Sequence, residues 1–220
     1  MSCAKKQAPS LFDFPEDGWP LGPEFLAKEK LLETLTGFAR GQLAECMADP
    51  DGMFCPGIKE AIEKGGDSMH DMLWINIMDW LLFDRAVDDE GRTNADLYWI
   101  RKRMFLPGLQ KKVLAMMRMT KMELFEIRAV YPGRGFELKR LADGAMFQVI
   151  EMKASRSLSR WTILASRLWV LDDAYRLSGS MYWFPPRERP HVLAMQKKIM
   201  RAADAPSESR ERFSPEICRM

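Results

Sequence analysis

Apolar residues return every three or four positions through the first half of the chain and every second position from about residue 122. That pattern predicts helices first and strands afterwards. Leu32, Leu35, Ala39, Leu43 and Cys46 form one helical stripe. Pro23 suits the start of that helix, because a first-turn N–H has no partner to lose. The helix is expected to reach about Met47 and to stop at Asp49-Pro50-Asp51-Gly52. Gly37 and Gly41 weaken it but would admit a second backbone at close range. Ile58–Lys64 reads as a short helix closed by Gly65-Gly66. Asp67 or Ser68 then caps a helix that runs to about Asp84 and is apolar on nearly every face, as a central buried helix is. Thr93 and Asp96 resemble a capping box, ahead of a helix that stops near Leu106. Pro107 starts another that ends near Met119.

Beyond residue 122, Phe125, Ile127, Ala129 and Tyr131 fall on one strand face. Pro132–Gly135 is a turn, and Phe136 and Leu138 then alternate with Glu137 and Lys139. Asp143-Gly144 is expected as a type I′ hairpin turn, with positive φ at both positions. Phe147 and Val149 lie on the return strand, and the runs Trp161–Leu171 and Ala174–Gly179 meet at Asp172-Asp173. Five short strands with tight turns predict a small antiparallel barrel of OB or SH3-like type. A helix from Pro190 to about Ala203 carries Val192, Met195 and Ile199 on one side. The expected class is therefore α+β. An irregular arm (1–22), whose Phe12, Phe14 and Trp19 are suited to docking on the body, leads into a helical lobe (23–120). A small antiparallel β domain (121–183), a C-terminal helix (184–203) and a charged, flexible tail (204–220) follow.

Composition adds a sign to each half. At 47% hydrophobic and 29% charged the chain reads as globular. The net charge of +2 hides a split: residues 1–95 carry 9 Lys/Arg against 18 Asp/Glu, and residues 96–220 carry 24 against 13. Two lobes of opposite sign attract each other, and a basic lobe also suits an anionic partner. Cys3, Cys46, Cys55 and Cys218 form no CxxC pair, so a reducing, cytoplasmic setting is expected. The first residues hold no apolar run of signal-peptide length. Met72–Phe83 is interrupted by Asn76 and Asp79 and is too short for a bilayer, so no membrane partner is expected. His70 and His191 lack Cys or His at ligand spacing, so neither a metal nor another cofactor is expected. Nucleotide-binding and hydrolase motifs are missing.

Two groups of residues carry what chemistry there is. Asn76 and Asp79 share a helix face, as do His70 and Asp84, fourteen residues apart. A buried carboxylate needs a partner, and Arg85, Arg101 or Arg103 is the expected one. Asp79, Asp84 and His70 then either fix helix register or, in the alternative reading, form the acid–base site of an enzyme in an interlobe cleft. In the β half Arg128, Arg167 and Arg176 accompany the candidate binding set Arg134, Lys139, Arg140, Lys153, Arg156 and Arg160, with Tyr131, Trp161, Trp169 and Tyr175 among them. Such interleaving is how OB-type modules hold single strands. Trp161 and Trp169 are expected on one strand face, which equally suits a core. Met116, Met117, Met119 and Met122 suit packing where helices meet barrel. The expected function is a non-catalytic binding or adaptor protein whose basic β surface meets a protein or a nucleic acid; nothing in the sequence sets an oligomeric state.

The order Asp79-Trp80-x-x-Phe83-Asp84, Gly91-x-Thr93, Leu124-x-x-Ile127, Leu141-x-Asp143, Ala165-x-Arg167-Leu168 and Leu177-Ser178-Gly179 resembles a group of uncharacterised bacterial proteins. In many of these a helical segment and a small β domain accompany a SEC-C motif, the zinc-binding tail element of SecA. The resemblance covers about half the chain and implies no activity. Its SEC-C pattern needs clustered cysteines and a Cys-His pair, whereas the tail here has only Cys218.

Overall fold

The computed structural model describes residues 21–54 and 57–203, and the side chains of these apart from 61–70 and 198–203. The arm with Phe12, Phe14 and Trp19, the tail, and the side chain of His70 lie outside the described residues. The order is α1 (Pro23–Phe38), α2 (Arg40–Ala48), α3 (Pro50–Met53), α4 (Ile58–Phe83), α5 (Asn94–Lys102), α6 (Gly108–Met119), β1 (Glu123–Tyr131), β2 (Gly135–Arg140), β3 (Met146–Ile150), β4 (Ile163–Leu171), β5 (Ala174–Phe184) and α7 (Arg189–Ala203). Among the described residues no helix is long and apolar enough to cross a membrane.

Several local expectations are corrected. The first helix breaks at Ala39, between Gly37 and Gly41. A Cβ built on either glycine meets no heavy atom within 4 Å, so no second backbone approaches; the low helical propensity of both glycines accounts for the interruption. Asp49-Pro50-Asp51-Gly52 does not simply end that helix. It starts the single turn of α3, with the Asp49 carboxylate accepting from the Gly52 N–H at 3.0 Å. Gly65-Gly66 does not divide α4, which runs unbroken from Ile58 to Phe83. Tertiary burial of its second half, through Ile77, Trp80, Leu81 and Leu82, outweighs about 1 kcal/mol per glycine. The Thr93–Asp96 capping box forms as expected.

The strands close into a barrel in the order β1-β2-β3-β5-β4. All pairings are antiparallel but one: β3 and β5 run parallel, through Val149↔Tyr175 and Ile150↔Arg176. That Greek-key closure is the OB arrangement. The two-residue turn with both φ positive is Asp172-Asp173 (53° and 57°), between the paired residues Leu171 and Ala174. Asp143 keeps a negative φ, and only Gly144 is left-handed. The difference has a chemical cause: Asp143 is drawn to the Ala145 N–H and to Arg140, whereas the Asp172 carboxylate accepts from the first amides of α1, Glu24 N at 3.0 Å and Phe25 N at 3.2 Å. Asp tolerates the left-handed region better than most residues.

Phe125, Ile127, Phe136, Leu138, Val149, Leu164 and Leu177 fill the barrel. A separate core joins Leu31 and Leu35 of α1, Ile77 and Leu81 of α4, and Leu114 and Met117 of α6 to Trp169 and Leu171 of β4. The outward face of β4 is thus covered by helices. Trp169 is core, but Trp161 precedes β4 and is exposed, so the two tryptophans do not share a strand face.

Candidate functional site

The carboxylates singled out on α4 meet a guanidinium from the barrel. Arg167, fully buried, donates from Nε to Asp79 Oδ2 at 2.8 Å, from Nη1 to the Thr120 carbonyl at 2.7 Å, and from Nη2 to Asp84 Oδ2. A β-bulge between Ser166 and Leu168 opposite β5 sets its direction; bulges re-aim a side chain in this way. Asn76 anchors the same face of α4, accepting from Ser180 Oγ and from the Met181 N–H, both at 2.9 Å. The expected partners are therefore corrected. Arg85 lies 5.6 Å from the Trp80 ring centroid, Arg101 5.8 Å from Phe38 and Arg103 5.8 Å from Trp99. Arg167 takes the role from 83 and 88 residues away.

One guanidinium serves two carboxylates, so the triad carries one negative charge in excess. Loss of water on burial pushes the Asp79 carboxyl up to about 6; Arg167 opposes this and the neighbouring Asp84 adds to it. The sign of the linkage follows. Folded Asp79 holds its proton above its ordinary 3.8, so its contribution to stability is complete below that value and is lost as pH rises through about 6. Urea midpoints of the wild type and Asp79→Asn from pH 4 to 7 test this. The difference should drift against the wild type by on the order of 2 kcal/mol, whereas parallel curves would show that Asp79 stays ionised throughout.

Glu126 on β1 forms the opposite kind of cluster. Although burial alone would raise it, bonds from Arg189 Nε and Arg128 Nη1, both at 2.7 Å, hold this carboxyl below its ordinary range. It ties α7 to the barrel. Sequence periodicity assigns Glu126 to an outward face, and nothing local marks it as buried.

The candidate cations separate into two places. Lys139 and Arg140 lie at the far end of β2, where Arg140 is paired with Asp143 and Glu123. Arg134, Lys153, Arg156 and Arg160 gather at the other end. There the Gly133 N–H donates to Ser155 Oγ at 3.0 Å and the Glu151 N–H to the Arg134 carbonyl at 3.0 Å. These bonds stitch the β1–β2 turn to the 151–161 segment. Lys153, Arg156 and Arg160 are exposed, and no carboxylate among the described residues forms an ion pair with any of them. Beside them Trp161 is 38% exposed, with φ at 73°, its backbone N–H donating to the Ile127 carbonyl at 2.8 Å. The guanidiniums of Arg128 and Arg160 each lie 4.3 Å from its ring centroid. A left-handed tryptophan is costly, and such strain gathers at functional positions. The usual OB ligand face on β2–β3 carries Glu137, Lys139, Met146 and Gln148 outward instead of a row of rings, and the β4–β5 turn beside it is committed to α1. Among the described residues no group of three or more His, Cys, Asp or Glu is placed to hold a metal ion.

These features define an α+β protein in which a closed five-stranded barrel is locked to helices by a buried Asp-Arg-Asp triad and presents a basic end. The chain belongs to a family of unknown function, DUF7986, whose model matches residues 68–215. The match takes in the second half of α4, the triad and the whole barrel, and it leaves out α1. No curated protein and no solved structure matches the chain.

Proposed function

We propose that this is a non-catalytic binding protein, an adaptor whose basic barrel end holds single-stranded nucleic acid. The observation that carries the reading is the group of exposed Lys153, Arg156 and Arg160, which form no ion pair with a carboxylate among the described residues, beside Trp161, 38% exposed and flanked by the guanidiniums of Arg128 and Arg160. Guanidinium, ammonium and the exposed Ser157 and Ser159 suit phosphate oxygens, and the exposed part of the Trp161 ring suits a base. The reading of Asp79 and Asp84 as acid–base groups draws less support, because each spends an oxygen on Arg167. A cytoplasmic, bacterial setting belongs to the same proposal. The SEC-C resemblance adds no activity to it, and its zinc ligands have no counterpart in the tail.

The test is a salt titration of binding to single-stranded RNA and DNA. Affinity should fall steeply with salt as phosphate counterions are released. Replacing Arg156 and Arg160 together by alanine should flatten the log–log slope by about two, one for each lost contact. Absence of binding at about 50 mM salt would overturn the nucleic-acid reading and leave a protein partner for this face.

A further inference from the structure

We propose that the cleft between α1, α4 and the β4–β5 face is a binding site for a small organic cation, an ammonium with apolar substituents. The cleft measures about 170 Å³ and is lined by Trp74, Met78, Asp79, Phe83, Trp169 and Ser180 among others. An apolar protein cavity of about 150 Å³ takes a benzene, so a trimethylammonium group fits in scale.

The lining carries one carboxylate, from Asp79, beside the Trp169 indole N–H, a buried donor with no partner among the described residues. Arg167 occupies Oδ2 of Asp79, and no hydrogen bond among the described residues reaches Oδ1. Asp79 keeps about 7% of its surface exposed and lines the cleft. The triad behind it carries two carboxylates for one guanidinium. An anion entering the cleft would meet that excess negative charge beside buried side chains, where charges interact more strongly than in bulk water. A neutral apolar guest would leave Oδ1 without a partner. A cation satisfies the oxygen and balances the triad. Trp74, Phe83 and Trp169 are among the lining residues, and aromatic rings are what recognise quaternary ammonium groups. Two of these rings already accept cations within the protein: Arg167 lies 5.4 Å from the Phe83 centroid and Lys28 Nζ 6.0 Å from that of Trp169.

This site is distinct from the basic barrel end, and the two readings stand or fall separately. Choline and tetramethylammonium are the probes, followed by tryptophan fluorescence and calorimetry. The control is 3,3-dimethylbutanol, which has the shape of choline without its charge. Saturable binding of both cations is expected below about 10 mM, a range in which weak small-ligand sites fill. The alcohol should bind at least about tenfold more weakly. Asp79→Asn should weaken choline about tenfold or more. Trp74→Leu, at a half-buried position, should weaken it several-fold in protein whose thermal unfolding shows it folded, and the Arg156/Arg160 double variant should bind choline like the wild type. The proposal is overturned if the alcohol binds as well as choline, if neither cation gives a saturable response, or if Trp74→Leu binds both cations unchanged.

Discussion

Arg167→Met is expected to destabilise the protein by about 3–5 kcal/mol, the range for removing one partner of a buried ion pair. Arg167 has no exposed side-chain surface, and Asp79 and Asp84 are each less than a tenth exposed. Methionine fills much of the same volume but returns none of the three hydrogen bonds. Two carboxylates would then face each other without a counter-charge, and the Thr120 carbonyl at the entry to β1 would lose its donor. At roughly 2–4 °C per kcal/mol for a chain of this size, the midpoint of thermal unfolding should fall by on the order of 10 °C. Asp79→Asn should be far milder. The amide oxygen can still accept from Nε, Asp84 still neutralises the guanidinium, and the like-charge contact is relieved, so about 1 kcal/mol is expected at neutral pH. Replacing all three residues by neutral ones of similar volume should recover most of the loss, because the penalty lies in unpaired charge rather than in a missing bond. Urea denaturation of the three variants decides the matter. An Arg167→Met protein within about 1 kcal/mol of the wild type would mean that water reaches the carboxylates.

The contrast between Asp79 and Arg167 shows how far the sequence could be read. A carboxylate inside an apolar helix is visible in one dimension, since its neighbours Ile77, Trp80 and Leu81 declare the burial. Its partner is not visible. Arg167 lies in an alternating run where any outward arginine looks solvated, and only the bulge beside it and the covering helices make it a core residue. Expected partners drawn from nearby sequence, Arg85, Arg101 and Arg103, went to aromatic rings instead. The change of period at residue 122 located β1 to within a residue, because periodicity reports which face is buried. Turn chemistry was less legible. Asp143-Gly144 has the better hairpin composition, yet Asp172-Asp173 adopts the left-handed pair, because the amides of α1 reward Asp172 for doing so. The basic segment 153–160 was legible as a charge cluster. That its end of the barrel separates from Lys139 and Arg140 depends on strand direction, which composition does not encode.

Gly135→Ala is expected to cost about 3 kcal/mol or more, near or above the upper end for overpacking a filled site. Gly135 opens β2 and is paired with Tyr131 on one side and Ile150 on the other. A Cβ there would stand 1.9 Å from the Val149 carbonyl oxygen and 3.0 Å from its carbon. These are backbone atoms, so no rotamer change relieves the overlap and β3 must move away from β2. The disturbance falls next to the bond from the Glu151 N–H to the Arg134 carbonyl and to the turn held by Ser155. It should therefore loosen the basic end as well as the barrel. A second glycine supplies the internal comparison. Gly37 on α1 is exposed and meets no heavy atom within 4 Å of a built Cβ. Gly37→Ala should raise stability by roughly 0.5–1 kcal/mol through the better helical propensity of alanine. Urea midpoints of the two variants should thus move in opposite directions. Hydrogen exchange should show faster opening of the β2–β3 amides in Gly135→Ala and no change there in Gly37→Ala. If Gly135→Ala keeps the wild-type midpoint and its β2–β3 protection, the close approach of β3 to Gly135 is not a constraint on the barrel.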